Sequence, residues 1–325
     1  MRAGIYLDGR NPEAWAKPWP DFYSDQIELV IEAERLGADS VWLSEHHLFD
    51  DGYLPQPLTF AAALAAVTDR IRLGTAVLLA PLWNPARLAE EIAVVDNLSN
   101  GRLTIGLGAG YSAPEFELYG SPTARRYGRT DELVRELRRL LGPGGPITPP
   151  ALQQPPEVWL GYQGPQGARR AGLLGAPLLS LNPSSLAPYR EALSEAGHGA
   201  DAARMAGVVT VVVADDPDDA FERVLPHALH QINTYREAAA AGTGRTPSPV
   251  TAEKLRTARH EHTGVVSPLE VMTSDRTIEW LRGRVADLPV EEVFCWASVA
   301  GMPDELVQRH LELWLGEVRP AIADW

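Results

Sequence analysis

Residues 41–56 read VWLSEHHLFDDGYLPQ, with Glu45, His46 and His47 standing where an apolar run stops. Histidine is the side chain best able to exchange a proton near neutral pH. Two of them beside a carboxylate therefore offer acid–base chemistry, metal ligation, or plain support of a strand end. Adjacent residues of an extended segment point to opposite sides, so His46 and His47 are badly placed to share one metal. A zinc site also needs further ligands; His227 and His230 are three apart on a helical stretch, and no metal site is assigned.

Two glycine-rich stretches are the other candidates. GLGAGY contains Gly106, Gly108 and Gly110 and has the outline of a dinucleotide fingerprint. Tyr111 stands where the third glycine belongs, however, and Pro114 interrupts the helix that should follow. The stretch then reads as a tight strand exit, or as small side chains leaving room for a flat ligand. In GYQGPQGARRAG, Gly161, Gly164 and Gly167 lie at a strand-to-helix junction. Free N–H groups and the helix dipole can hold a phosphate there; a simple glycine turn is the alternative.

The elements that position these residues alternate. Short β-rich runs occur at 3–7, 39–44, 71–79, 102–108, 157–161, 175–181, 205–214 and 290–299, separated by segments of helical period. DFYSDQIELVIEAERLG carries Ile27, Val30 and Ile31 on one stripe and stops at Gly37. In NPARLAEEIAVVDNLSNG, Asn84 caps, Pro85 takes the first helical position, Leu88, Ile92 and Val95 form the stripe, and Asn100-Gly101 stops it. Eight strand–helix units imply parallel pairing through right-handed crossovers and a (β/α)8 barrel, with an open doubly wound sheet as the alternative. Active sites of such barrels form just after the strands, which is where Glu45-His46-His47 falls.

The chain of 325 residues is read as a single domain, although the Pro/Gly-rich segment 142–156 could mark a boundary. Residues 226–267 break the rhythm and are expected to be a lid or insertion. The formal charge of −14, from 43 acidic and 29 scattered basic residues, argues against nucleic acid. Cys295 is the only cysteine, and MRAGIYLDGR lacks the apolar core of a signal peptide, which leads to a reducing cytoplasm as the expectation. LTFAAALAAV is about half the roughly 20 residues needed to cross a bilayer, so no membrane association is expected.

SVWLSEHH, IRLGTAVLLAPLWNPARLAEEIAVVDNLSNGRLTIGLGAGY, FELYG, a helix start at Arg129-Thr130-Asp131-Glu132 and AGMPDELVQRHLELWLGEVRP together resemble the bacterial luciferase-like flavin oxidoreductases and monooxygenases. The order E-H-H, G-T-A, S-x-G-R is specific in combination; residues 215–285 match poorly. The resemblance implies a (β/α)8 barrel with reduced flavin across its C-terminal mouth. It makes His46 catalytic and His47 structural, and places Ala76 and Val77, joined by a non-prolyl cis peptide, beside the isoalloxazine with Gly108 and Ala109 nearby. It assigns the phosphate to the turn of Tyr162, Gln163, Gly164 and Gly167. One departure is Ala109, where luciferases carry a phosphate-binding arginine. The implied function is a two-component monooxygenase: reduced FMN from a separate flavin reductase, dioxygen, a C4a-hydroperoxyflavin, a small organic substrate, and a homodimer. Hydride transfer with a deazaflavin coenzyme is the alternative, and a non-catalytic flavin-binding protein the reading from another class.

Overall fold

The computed structural model describes residues 1–261 and 269–325. Its strands are β1 (Arg2–Leu7), β2 (Ser40–Leu43), β3 (Arg72–Thr75), β4 (Leu78–Leu79), β5 (Leu103–Gly108), β6 (Val158–Leu160), β7 (Leu178–Leu179), β8 (Met205–Val209), β9 (Val211–Val213), β10 (Glu270–Met272) and β11 (Val290–Trp296). All pairings are parallel. The sheet runs β3-β2-β1-β11-β8-β7-β6-β5-β4 and closes where β3 also pairs with β5. Since β3 and β4 are two pieces of one strand, this is an eight-stranded α/β barrel. The broken 71–79 run and the 205–214 run, which splits into β8 and β9, are the two places where one expected strand becomes two. β9 leaves the barrel to pair with β10.

Period-two alternation sorts each strand into two sets. Ile5, Val41, Leu73, Ile105 and Val293 are fully buried in the apolar core. The other set fills the barrel interior with rings: Trp42 stacks on Phe294 at 4.9 Å and Tyr6 meets Trp296 edge-on at 4.5 Å. Gly74 makes room for this layer, because a Cβ there would lie 2.5 Å from the Trp42 ring. Below it, buried Glu292 accepts from Trp42 Nε1 (2.7 Å), Arg2 Nε (2.9 Å) and Ser40. Trp314, from the C-terminal helix, donates to the Gly4 carbonyl at 3.0 Å.

The helix signals hold where side chains make the cap. Asn84 Oδ1 accepts from the N–H groups of Ala86 and Arg87, and Gly37 follows the helix Trp19–Arg35 at φ 97°. The helix expected from Arg129 instead starts at Arg126, because a 3-10 turn, Thr123–Arg125, carries the chain into it without a side-chain cap. Segment 142–156 is a largely exposed loop tied to the barrel at Gln153, whose side chain donates to Asp96 Oδ1 (2.7 Å) and the Leu103 carbonyl (2.8 Å).

The S-x-G-R stretch is a clamp. Arg102 donates to the carbonyls of Ser99, Ile71, Ala65 and Thr68 and to Thr68 Oγ1, all within 3.1 Å. Arg102→Met strands these acceptors, and a loss of about 2–3 kcal/mol is expected in denaturant titration; a change under about 0.5 kcal/mol, the scale of a neutral surface substitution, would contradict the clamp.

Candidate active site

The mouth is built from segments that follow β1, β2, β3 and β5. Thr75 is the pivot of the third. The β3–β5 ladder covers only Leu73↔Leu103 and Gly74↔Thr104. Thr75 then continues it with its side chain: Oγ1 donates to the Gly106 carbonyl (3.0 Å) and accepts from the Gly106 N–H (2.8 Å). The next peptide, Ala76–Val77, is cis, as the resemblance implies. The space beside Gly108 and Gly161 is occupied by Val77: added Cβ atoms would meet its methyls at 2.3 and 2.6 Å. The room read from the glycines thus belongs to the chain's own bulge rather than to a flat ligand.

His46 and His47 point to different partners. His47 Nε2 lies 3.0 Å from Glu45 Oε1 and its Nδ1 3.3 Å from Tyr119 Oη. Glu45 Oε2 accepts from the Leu79 N–H (2.6 Å) and Trp83 Nε1 (3.0 Å). This carboxylate ties the loop after β2 to the loop after β3. His46 Nδ1 is 2.8 Å from Glu115 Oε1, and the same oxygen accepts from the His47 N–H at 2.8 Å. Around the His46 ring stand Tyr53 (4.7 Å), Phe49 (5.0 Å), Tyr111 (5.4 Å) and Tyr235 (6.0 Å). Leu48, at φ 62°, turns the chain between the histidines and this wall.

Beneath the wall is a buried polar cluster. Arg10 lies over the rings of Tyr53, Tyr235 and Phe49 at 4.7, 5.0 and 5.1 Å. It donates to Thr234 Oγ1 at 2.8 Å and has Asp51 and Asp8 carboxylates at 3.5 and 3.8 Å. Burial works against its charge, but Asp8, Tyr235, Asp51 and Tyr53 outweigh that and raise its pKa. Tyr53 Oη is 2.7 Å from Tyr235 Oη and 3.3 Å from Tyr6 Oη. Burial raises all three phenols, Tyr6 to about 12, so they remain protonated hydrogen-bonding groups.

Burial also pushes the Asp8 carboxyl up to about 6 from 3.8, against the opposing pull of Arg10. A raised folded-state value makes its stabilisation complete below about pH 4 and lost as pH rises through about 6. Asp8→Asn is therefore expected to gain stability relative to the unmodified chain between those pH values. A difference in unfolding free energy that does not change with pH would contradict this.

The segment expected from 226 belongs to a helix that begins at Pro217 behind an Asp216 cap and runs through Pro226 to Ala240. His230 reaches Asp51 (2.7 Å), Gln231 reaches Asp8 (3.4 Å), and Thr234 and Tyr235 make the contacts above, so this face lies against the loops after β1 and β2. His227 instead meets the Ala300 carbonyl at 3.1 Å. The lid reading extends to 267, and its residues 262–267 lie outside the described residues.

At the other side, Tyr162 is buried and donates to Asp131 (2.6 Å), which also pairs with Arg170. Gly164 has φ 69° with nothing within 4 Å of an added Cβ, and Gly167 abuts Tyr162. Gln163 precedes the helix Gly164–Leu173 without capping it through its side chain. Ala109 is buried, and Arg126 and Arg170 both lie over the Tyr127 ring (4.7 and 5.6 Å). Arg126 Nε is buried without a hydrogen-bond partner among the described residues. An open backbone turn with an uncommitted guanidinium nitrogen in the neighbouring helix fits an anionic group such as a flavin phosphate.

The same closed barrel, with its site at the C-terminal mouth, is found in known proteins. Residues 1–282 match the family model described as luciferase-like monooxygenase. The chain belongs to that family. It is 34% identical over 158 residues to the oxygenase component of a flavin-dependent trigonelline monooxygenase of Acinetobacter baylyi, covering 44% of each protein. It is 30% identical over 199 residues to an F420-dependent glucose-6-phosphate dehydrogenase of Amycolatopsis mediterranei, covering 55% of this chain and 60% of that protein. These matches span less than two thirds of the relatives' lengths. The solved structure of the monooxygenase RslO1 from Streptomyces bottropensis superposes with a TM-score of 0.79 at 26% identity, over 98% of this chain and 99% of that one. No helix among the described residues is long and apolar enough to cross a membrane.

Proposed function

We propose that the protein is the oxygenase of a two-component system: it binds reduced FMN delivered by a separate flavin reductase and uses dioxygen to oxygenate a small organic substrate. The observation that carries this reading is His46, held by a buried carboxylate inside a wall of four aromatic rings. Oxygenation needs a site that excludes water and still manages a proton. The rings do the first and His46 the second.

When bound, the reduced flavin supplies the electrons for dioxygen. The chain's residues do the rest. Ala76 and Val77 form a bulge that would support the ring system; Gly108 and Gly161 let that bulge sit deep. Ala109 lines the same side. Tyr162 anchors the turn through Asp131, while the N–H groups near Gln163, Gly164 and Gly167, with Arg126, would hold the phosphate. The relatives include both FMN-type monooxygenases and F420-dependent dehydrogenases. Ala109 favours the second reading, deazaflavin-dependent hydride transfer, because it removes an arginine that the resemblance associates with flavin phosphate. A cytoplasmic homodimer is the assembly we expect.

The second half of the helix Pro217–Ala240 serves as a cover. It meets Asp8, Arg10, Asp51 and Tyr53 through side-chain hydrogen bonds and through the Tyr235 ring, and closing these contacts on a ligand would shield the reaction from water. Hydrogen exchange with reduced FMN is expected to show added protection across residues 226–240. Unchanged exchange there, with the Gln163 turn protected, would reduce the helix to a fixed wall.

A further inference from the structure

The reading above requires only that His46 exchange a proton. Which ring nitrogen carries it decides the direction of transfer. Neutral imidazole has one donor and one acceptor nitrogen, and the partner of one sets the role of the other.

That partner is Glu115, which is fully buried. Its Oε1 lies 2.8 Å from the His47 backbone nitrogen and 2.8 Å from His46 Nδ1. A backbone N–H can only donate, so Oε1 is already an acceptor at this point. A proton on Oε1 would weaken it in that role. A proton on Oε2 would be a buried donor with nothing to receive it, since Oε2 has no partner among the described residues. The arrangement that satisfies most groups is a carboxylate taking two charge-assisted N–H bonds at Oε1. Nδ1 then carries the hydrogen. The rings facing His46 do not compete for it: Tyr53 Oη is engaged with Tyr6 and Tyr235, Phe49 has no polar atom, and Tyr111 makes an edge contact with the ring at 5.4 Å and no hydrogen bond to it among the described residues.

We infer that Glu115 is a positioning residue that fixes His46 as the Nδ1–H tautomer, leaving Nε2 as a bare acceptor at the mouth, so that the resting site takes a proton from its ligand rather than giving one. The use of that acceptor rests on the function proposed above. The proton placement is a property of the chain alone, and its test needs no cofactor.

The measurement is a long-range ¹⁵N–¹H correlation spectrum of the ¹⁵N-histidine-labelled protein above pH 8, with His46 assigned by its loss in His46→Gln. The unmodified chain is expected to show the Nδ1–H pattern. Glu115→Gln should keep it, because turning the amide NH2 toward His46 would set a donor against the His47 N–H. Glu115→Leu should make Nε2–H the major form. An Nε2–H pattern in the unmodified chain, or in Glu115→Gln, overturns the inference, as does an unshifted pattern in a folded Glu115→Leu. If Glu115→Leu does not fold, the first two spectra decide. A failure of flavin binding would leave these spectra unchanged, so the two proposals fail separately.

Discussion

Replacing His46 with alanine is expected to slow oxygenation by about 10²- to 10⁴-fold, the range for loss of a positioned acid or base, while the fold persists. The His46 ring makes one side-chain hydrogen bond, to Glu115, and Glu115 Oε1 keeps the His47 N–H when the ring is removed. His47→Ala should behave in the opposite way. Its ring joins Glu45 to Tyr119, and Glu45 in turn holds Leu79 and Trp83. Cutting that chain leaves a buried carboxylate oxygen short of a donor, at about 1–3 kcal/mol, with little effect on rate. Rapid-mixing kinetics and thermal melts on both variants separate the roles. Equal kinetic losses would contradict them.

The second large effect is on the fold. Gly106→Ala places a Cβ 2.0 Å from the Thr75 carbonyl oxygen and 2.7 Å from Leu179 Cδ1. The first neighbour is backbone and cannot swing away. It also belongs to the residue whose side chain clips β3 to β5, so yielding would break both Thr75–Gly106 bonds. Overpacking ordinarily costs about 1–3 kcal/mol; with the clip lost as well, destabilisation of more than about 3 kcal/mol is expected. Chemical denaturation, or failure to obtain folded protein, measures it. A variant within about 1 kcal/mol of the unmodified chain would show that the bulge is not held this way.

These effects mark what the sequence could and could not reveal. The barrel was legible because its strands are β-rich runs and its helices carry stripes and caps: Val41, Ile105, Leu88 and Asn84 each obey a local rule. His46 was legible because sites of this fold lie just past strand ends. Arg10 and Asp8 follow β1 by the same rule, yet the mixed-charge stretch LDGRN gave no motif to single them out. Glu115 was missed because its partner is 69 residues away; an acid between Pro114 and Phe116 was the faint signal that it is buried. The break after Thr75 depends on a side chain replacing a ladder bond across the barrel, which no local pattern encodes. Tyr235 falls within the segment 226–267, but its bond to Tyr53 depends on how the helix Pro217–Ala240 settles over the mouth.

The central claim is that this mouth is built for reduced FMN and dioxygen. Anaerobic titration with reduced FMN, oxidised FMN and the reduced deazaflavin coenzyme, followed by mixing each complex with dioxygen, tests it most directly. Reduced FMN is expected to bind more tightly than oxidised FMN, and its reoxidation in the complex to proceed at a rate different from that of the free flavin. Binding of the deazaflavin coenzyme alone, with no measurable affinity for reduced FMN, would contradict the account.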